Sequence, residues 1–385
     1  MKQTRTAWVV IAGALVAAAC VSCSSDEAAN PASDDPGTGT DLGGDDPVVA
    51  PDPCVDLDQC ADPVDPDPVA DAGAPPALAV GARLLVKTYA PFRKTPSATG
   101  ALVTSAAPNG GVPDDGVHLW GSPLGYVSPA QVVVLEDATK NAGYYHVGYD
   151  GKSGWILASK LVVIDSKVDP VDFALRASNR NAFFKHQIHR VTWNKDGPSH
   201  SGNCAPTSLA MAVRILGNEP SGLSIEESIH RVRLSYASPV THDDGPTSRL
   251  QIQQAATKLK LSMLALNDAG LSASGALTRI DGQLAKKRLV VLEGKTGDGS
   301  GTPSTYQKAM NRAYAAAIKA GQTLYHSTYG FDGYHSILVL GKDGANYVVG
   351  DPFSEVGFVE LTATEMKDFY VRWSGHQGTG TSVWK

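Results

Sequence analysis

The stretch from Gly202 to Gly217, Gly-Asn-Cys-Ala-Pro-Thr-Ser-Leu-Ala-Met-Ala-Val-Arg-Ile-Leu-Gly, constrains this chain more than any other. Pro206 is tolerated in a first helical turn, where its missing N–H would have no intrahelical partner, and Leu209, Ala212, Val213 and Leu216 recur at helical spacing on one face. Gly217 supplies a stop. The pattern predicts a helix with Cys204 at its N-terminus, where open amide N–H groups and the positive end of the helix dipole favour a thiolate over a thiol. That is the electrostatics a nucleophilic cysteine needs. A small buried hydrophobe is the alternative reading of the same residue.

The other four cysteines lie far upstream. Lys2 and Arg5 precede an apolar run from Ala7 to Ala19 that is too short to span a bilayer and ends in small residues beside Cys20, so residues 1–23 read as an export signal. The run resembles a bacterial lipoprotein signal, whose cysteine becomes the lipidated first residue of the mature protein. Cys20 is the first candidate for lipidation, Cys23 the second, and secretion without lipid the third reading. Residues 24–77 are mostly Asp, Pro, Gly, Ala and Ser, and they hold too little large apolar surface to offset the entropy of ordering. The expectation is an extended, disordered tether. Cys54 and Cys60 within it are close enough to form a small disulfide loop in an oxidising compartment. The surrounding aspartates lack the glycine and terminal glutamate of a calcium loop and read as a solvated linker. Cys204 is then left as the odd thiol of an exported chain.

At 385 residues the chain exceeds one domain on a prior of about 150 residues each, and its formal net charge of −6 offers no basic footprint for nucleic acid. From 78 to 165 the texture is short apolar runs broken by Gly, Pro and Asp. Leu84-Leu85-Val86, Val132 to Leu135, Tyr144 to Val147 and Trp155-Ile156-Leu157 read as strands, with Asp150-Gly151 as a tight hairpin turn. The run Tyr145 to Ile156, followed by Lys160-Leu161, resembles the last strands of bacterial SH3-like β-barrels, which implies cell-wall binding or packing beside a cell-wall enzyme. Thr95 to Pro129 reads as a loop insertion, and Tyr144, Tyr145, Tyr149 and Trp155 as core and rim.

From 166 to 385 helices and strands are mixed. Ser224-Ile225-Glu226-Glu227 is a capping box opening a helix, Thr247 to Leu259 a second, Thr278 to Lys287 a third and Thr305 to Ala320 a fourth, with Leu289 to Leu292 as a strand and Thr296 to Pro303 as a glycine-rich loop. Tyr334 to Gly341 and Tyr347 to Pro352 flank the short polar connection Lys342 to Asn346 and predict an antiparallel hairpin. The start of its first strand lies beside the end of its second, so Asp351 can accept the N–H of one His335 ring nitrogen and leave the other for a nucleophile. No phosphate-binding glycine loop is present. His186 and His189 lack the acid of a zinc-peptidase motif and read as surface residues, so no metal or cofactor is implied.

The order Cys204, His335, Asp351, carried by a Cys-Ala-Pro-Thr-Ser-Leu-Ala-Met helix and a Gly-Tyr-His-Ser-Ile-Leu-Val-Leu-Gly hairpin ending in Asp-Pro, resembles papain-like cysteine peptidases of the bacteriocin-processing, double-glycine group. The likeness spans about His186 to Trp373. It implies an α+β fold, a papain-like domain after a small SH3-like barrel. It also implies Cys204 as nucleophile, His335 as general base and then acid, and Asp351 as the residue orienting the imidazolium. That family has a glutamine a few residues before the cysteine as oxyanion donor. Here Pro198 stands near that place, which leaves Asn194 and Asn203 as upstream amides beside the Cys204 backbone N–H, and Asn203 has a helix cap as its other reading. The expected activity is amide hydrolysis on peptide or peptidoglycan-like material by a lipid-anchored or secreted protein. The rivals are an inactive binding protein and an acyl transferase of similar fold.

Overall fold

The computed structural model describes residues 78–385 apart from 89, 104–124, 128, 188–201, 221–222, 224, 237–246, 268–270, 298, 323, 325 and 372–378. The expected signal and tether, with Cys20, Cys23, Cys54 and Cys60, lie outside the described residues, as do Asn194, His189, Pro198 and Ser224.

Seven short strands occupy residues 83–163: β1 (Arg83–Val86), β2 (Ala90–Pro91), β3 (Tyr126–Val127), β4 (Val132–Asn141), β5 (Tyr144–Tyr149), β6 (Lys152–Leu157) and β7 (Leu161–Val163). Five of them form an antiparallel sheet in the order β6-β5-β4-β1-β7. Asp150 and Gly151 both take positive φ, 48° and 72°, as a two-residue turn matched to the strand twist requires. β2 pairs with β3, and Arg93 just past β2 exchanges backbone hydrogen bonds with Trp155 of β6 at 2.8 and 3.0 Å. Leu84, Val86, Val133, Leu135, Val147 and Ile156 fill the core between these pieces.

The rest of the chain alternates helix and strand: α1 (Pro170–Leu175), α2 (Ala177–Arg180), α3 (Cys204–Ile215), α4 (Ile225–Arg233), α5 (Arg249–Lys258), β8 (Ser262–Asn267), α6 (Ala273–Leu284), β9 (Leu289–Lys295), α7 (Thr305–Lys319), β10 (Tyr334–Asp343), β11 (Asn346–Gly350), β12 (Phe358–Leu361), α8 (Ala363–Val371) and β13 (Thr379–Trp384). Its six strands make one antiparallel sheet in the order β12-β11-β10-β9-β13-β8. Alternate residues of each central strand point to opposite faces. Leu289, Val291, Leu338 and Leu340 pack with α3, while Val290, Leu292, Ile337 and Val339 pack with α6, α7 and α8. Burial on both sides explains why β9 and β10 read as continuous apolar runs instead of alternating ones.

Helix α3 differs from the one-faced helix that its spacing predicts, because all twelve of its residues are buried. The large sheet covers one side, α1, α4 and α5 pack on others, and Leu85 of β1 and Ala130, in the turn before β4, join the same apolar cluster. Gly217, at φ 73°, ends the helix: its N–H bonds to Arg214 O and that of Asn218 to Val213 O, each at 3.0 Å. Two helix starts shift from expectation, and α1 has no counterpart in the sequence reading. Ser248 caps α5 in a full capping box, Ser272 caps α6, which starts at Ala273, five residues before Thr278, by accepting the Gly275 N–H at 3.1 Å, and Asp169 caps α1. His186 is a correction. It is buried, not on the surface, with its ring facing that of Phe353 at 6.5 Å.

Candidate active site

Cys204 opens α3, is buried and takes part in no disulfide. Asn203 occupies the cap position, yet its side chain makes no capping bond. Instead Arg233 of α4 donates through Nε to Asn203 Oδ1 at 2.6 Å and through Nη2 to Gly202 O at 3.2 Å. The cap reading of Asn203 is therefore set aside. No side chain caps the start of α3, and a buried guanidinium is tied to the two residues before the thiol, so helix dipole and side-chain charge both favour the anion. One turn on, Ser208 Oγ donates to Ser336 O at 3.2 Å, which fixes α3 against β10 next to His335.

The hairpin supplies the other two groups. His335 is the second residue of β10, Asp351 the first after β11, and both side chains are fully out of solvent. His335 Nε2 lies 2.6 Å from Asp351 Oδ1. Its other nitrogen, Nδ1, is buried with no hydrogen bond of ordinary geometry, and the Cys204 side chain is the partner that acts on the ring, by hydrogen bonding and by charge. The ring of Phe331 covers the imidazole at 4.8 Å between centroids and touches Phe353 at the same separation.

Asp351 is enclosed by donors. Oδ1 also accepts the Phe353 N–H at 2.8 Å, while Oδ2 accepts the hydroxyls of Tyr306 and Tyr329, each at 2.7 Å. Burial alone would raise the Asp351 pKa, but the His335 charge and hydrogen bond, with the two tyrosine donors, outweigh it and hold the carboxyl below its ordinary range. Burial alone would lower that of His335. The Asp351 charge and hydrogen bond, followed by Cys204, overcome this and carry the imidazole up to about 10. The group is therefore electrostatically set as thiol or thiolate, imidazolium and carboxylate in a row, an arrangement able to attack a carbonyl carbon and protonate a leaving group.

The structure thus brings Cys204, His335 and Asp351 together, with Asn203 beside Cys204. Three further residues escape the sequence reading. Tyr306 lies in a stretch that the sequence marks only as a helix, Thr305 to Ala320, and Tyr329 lies in a loop whose pattern carries no signal. Gln187 is buried, and its backbone N–H donates to the carbonyl of Pro352, the residue after Asp351, at 2.7 Å. As the one glutamine between residue 166 and Cys204 it was open to notice, at a longer spacing than the expected one.

No protein-family model matches the chain, and no curated protein matches it. Among solved structures, one described as a C39-like peptidase from Bacillus anthracis aligns with TM-score 0.31 and 12% identity, over 52% of this chain and 94% of that one. The peptidase domain of Streptococcus ComA, described as a bi-functional ABC transporter of a quorum-sensing pathway, aligns with TM-score 0.27 and 14% identity, over 52% and 98%. At these scores the functional reading rests on the geometry of the site itself.

Proposed function

We propose that this chain is a cysteine hydrolase, a peptidase or amidase, that cleaves an amide bond through Cys204, His335 and Asp351. The observation that carries the reading is the fully buried His335, one nitrogen on Asp351 and the ring coupled to a thiol at a helix start. The Cys204 thiolate attacks the carbonyl carbon, and the carbonyl electron pair moves onto oxygen. As the C–N bond breaks, His335 passes its Nδ1 proton to the departing amine, leaving a thioester and a neutral imidazole still donating from Nε2 to Asp351. Water then attacks the thioester, its proton returns to Nδ1, and the carboxylic acid and thiolate separate. The Cys204 backbone N–H and a side-chain amide are the oxyanion donors in this scheme, with Gln187 joining Asn194 and Asn203 as candidates.

The remaining sequence expectations complete the proposal. Residues 78–165 serve as an SH3-like module and 166–385 as a papain-like domain, held at the cell envelope through a lipid on Cys20 and the tether, with Cys54 and Cys60 bridged and peptide or peptidoglycan-like material as substrate. The reading is tested by incubating the purified chain with a mixture of peptides and cell-wall fragments and recording intact mass after acid quench. The expected result is an acyl adduct on Cys204 and released amine, both absent in Cys204→Ala. Cleavage that persists in Cys204→Ala, or none at all in the wild type, contradicts the hydrolase reading. Product that carries an added amine in place of water identifies acyl transfer.

A further inference from the structure

The helix between β9 and β10 has a role that its sequence conceals. Tyr306 lies in the first turn of α7, and Tyr329 lies in the segment that leads from α7 back to β10; the two rings meet edge to face at 6.2 Å. Both hydroxyls converge on one oxygen of one carboxylate, Asp351 Oδ2, at 2.7 Å, and both side chains are buried. The segment is itself pinned: Asn311 Oδ1 accepts the Tyr329 N–H at 2.7 Å, and the His326 ring meets Glu355 at 2.5 Å. Tyr314, two turns along α7, accepts the Glu355 N–H at 3.0 Å and so braces the same turn without touching the carboxylate.

We propose that Tyr306 and Tyr329 are positioning residues, which occupy Asp351 Oδ2 so that Oδ1 alone is presented to His335, making α7 and the segment after it part of the catalytic machinery. This rests on the hydrolase reading of the same site. A carboxylate in a dry pocket with its second oxygen open can rotate and share its charge among other donors; two fixed hydroxyls remove that freedom and stabilise the anion where it is needed. Asp351 also faces the Phe353 N–H, and the titratable groups around it are His335 of β10, Tyr306 and Tyr314 of α7 and Tyr329, with Cys204 of α3 acting on His335. With one hydroxyl removed, Asp351 takes up a proton at a higher pH, and the imidazolium loses its counter-charge earlier on acidification.

The test is the pH profile of iodoacetamide alkylation at Cys204 in the full chain, compared among wild type, Tyr306→Phe, Tyr329→Phe, the double variant, Tyr314→Phe and His335→Ala. The expected result is an acidic limb moved to higher pH in each single variant and further in the double, with turnover falling about tenfold or more per hydroxyl and KM little changed. Tyr314→Phe leaves the limb in place. Each single variant keeps one donor on Oδ2, so the comparison survives if the double fails to fold. Profiles identical to wild type in both single variants would overturn the inference alone. A wild-type profile indifferent to His335→Ala would instead overturn the hydrolase reading on which it rests.

Discussion

Helix α7 begins with a complete capping box: Ser304 Oγ takes the Gln307 N–H at 2.9 Å, and Gln307 Oε1 takes the Ser304 N–H at 2.8 Å. Helix α3 has an equally able residue at the same position, yet the Asn203 oxygen is drawn away by Arg233 and makes no cap. A side-chain cap is worth about 1 kcal/mol, so its omission at a helix with every residue buried calls for a reason. Part of the reason is local: Pro206 stands where Gln307 stands in α7 and has no N–H to give, so a cap could reach only the Ala205 amide, which is left to favour a thiolate on Cys204. The contrast teaches that α7 is built as a support and α3 as a charge site whose stability comes from elsewhere.

That elsewhere is burial along the whole helix, together with a charge cluster at its far end. Arg214 bonds to Glu219 through Nε and to Pro129 O through Nη1 at 2.8 Å, and the fully buried Lys185 lies 3.4 Å from the same glutamate. The largest stability effect should follow from Glu219→Gln, which leaves two buried cations without that carboxylate and should cost about 3 kcal/mol or more in urea unfolding. A loss under about 1 kcal/mol would mean that α3 is not anchored by its charges. A smaller effect, about 1 kcal/mol, is expected for Ser304→Ala, with alkylation of Cys204 changed little. If Ser304→Ala altered thiol reactivity as strongly as His335→Ala, the division between supporting helix and charge site would fail.

Legibility in the sequence followed local chemistry. The Cys204 helix, its Gly217 stop, the β10–β11 hairpin and the Asp150-Gly151 turn each carry their own signal in Pro, Gly and apolar spacing, and the structure has them within a residue or two. What stayed hidden depends on long-range partners. β13 enters the large sheet between β9 and β8 although it comes last in the chain, and no periodicity announces such a placement. α6 starts at Ala273, ahead of the expected Thr278, because Ser272 caps it. The tyrosines on Asp351 are separated from it by 45 and 22 positions, so only folding reveals that their hydroxyls meet. His186 reads as a surface residue and Gln187 carries no pattern at all, because with no regular element to mark them their burial has no sequence signature.

The most direct test of the account is the thiolate itself, read as the ultraviolet absorbance of the wild type minus that of Cys204→Ala across a pH titration. His335 is raised from about 6.5 in an unfolded chain to about 10 in the folded one, so it keeps its proton through neutral and mildly alkaline pH and loses it only above that. An imidazolium held there stabilises the neighbouring anion over the same range. The account predicts a thiolate signal already present at neutral pH, lost on acidification, and moved to higher pH in His335→Ala. A signal that appears only near the roughly 8.5 of an ordinary thiol, unchanged by His335→Ala, would contradict it.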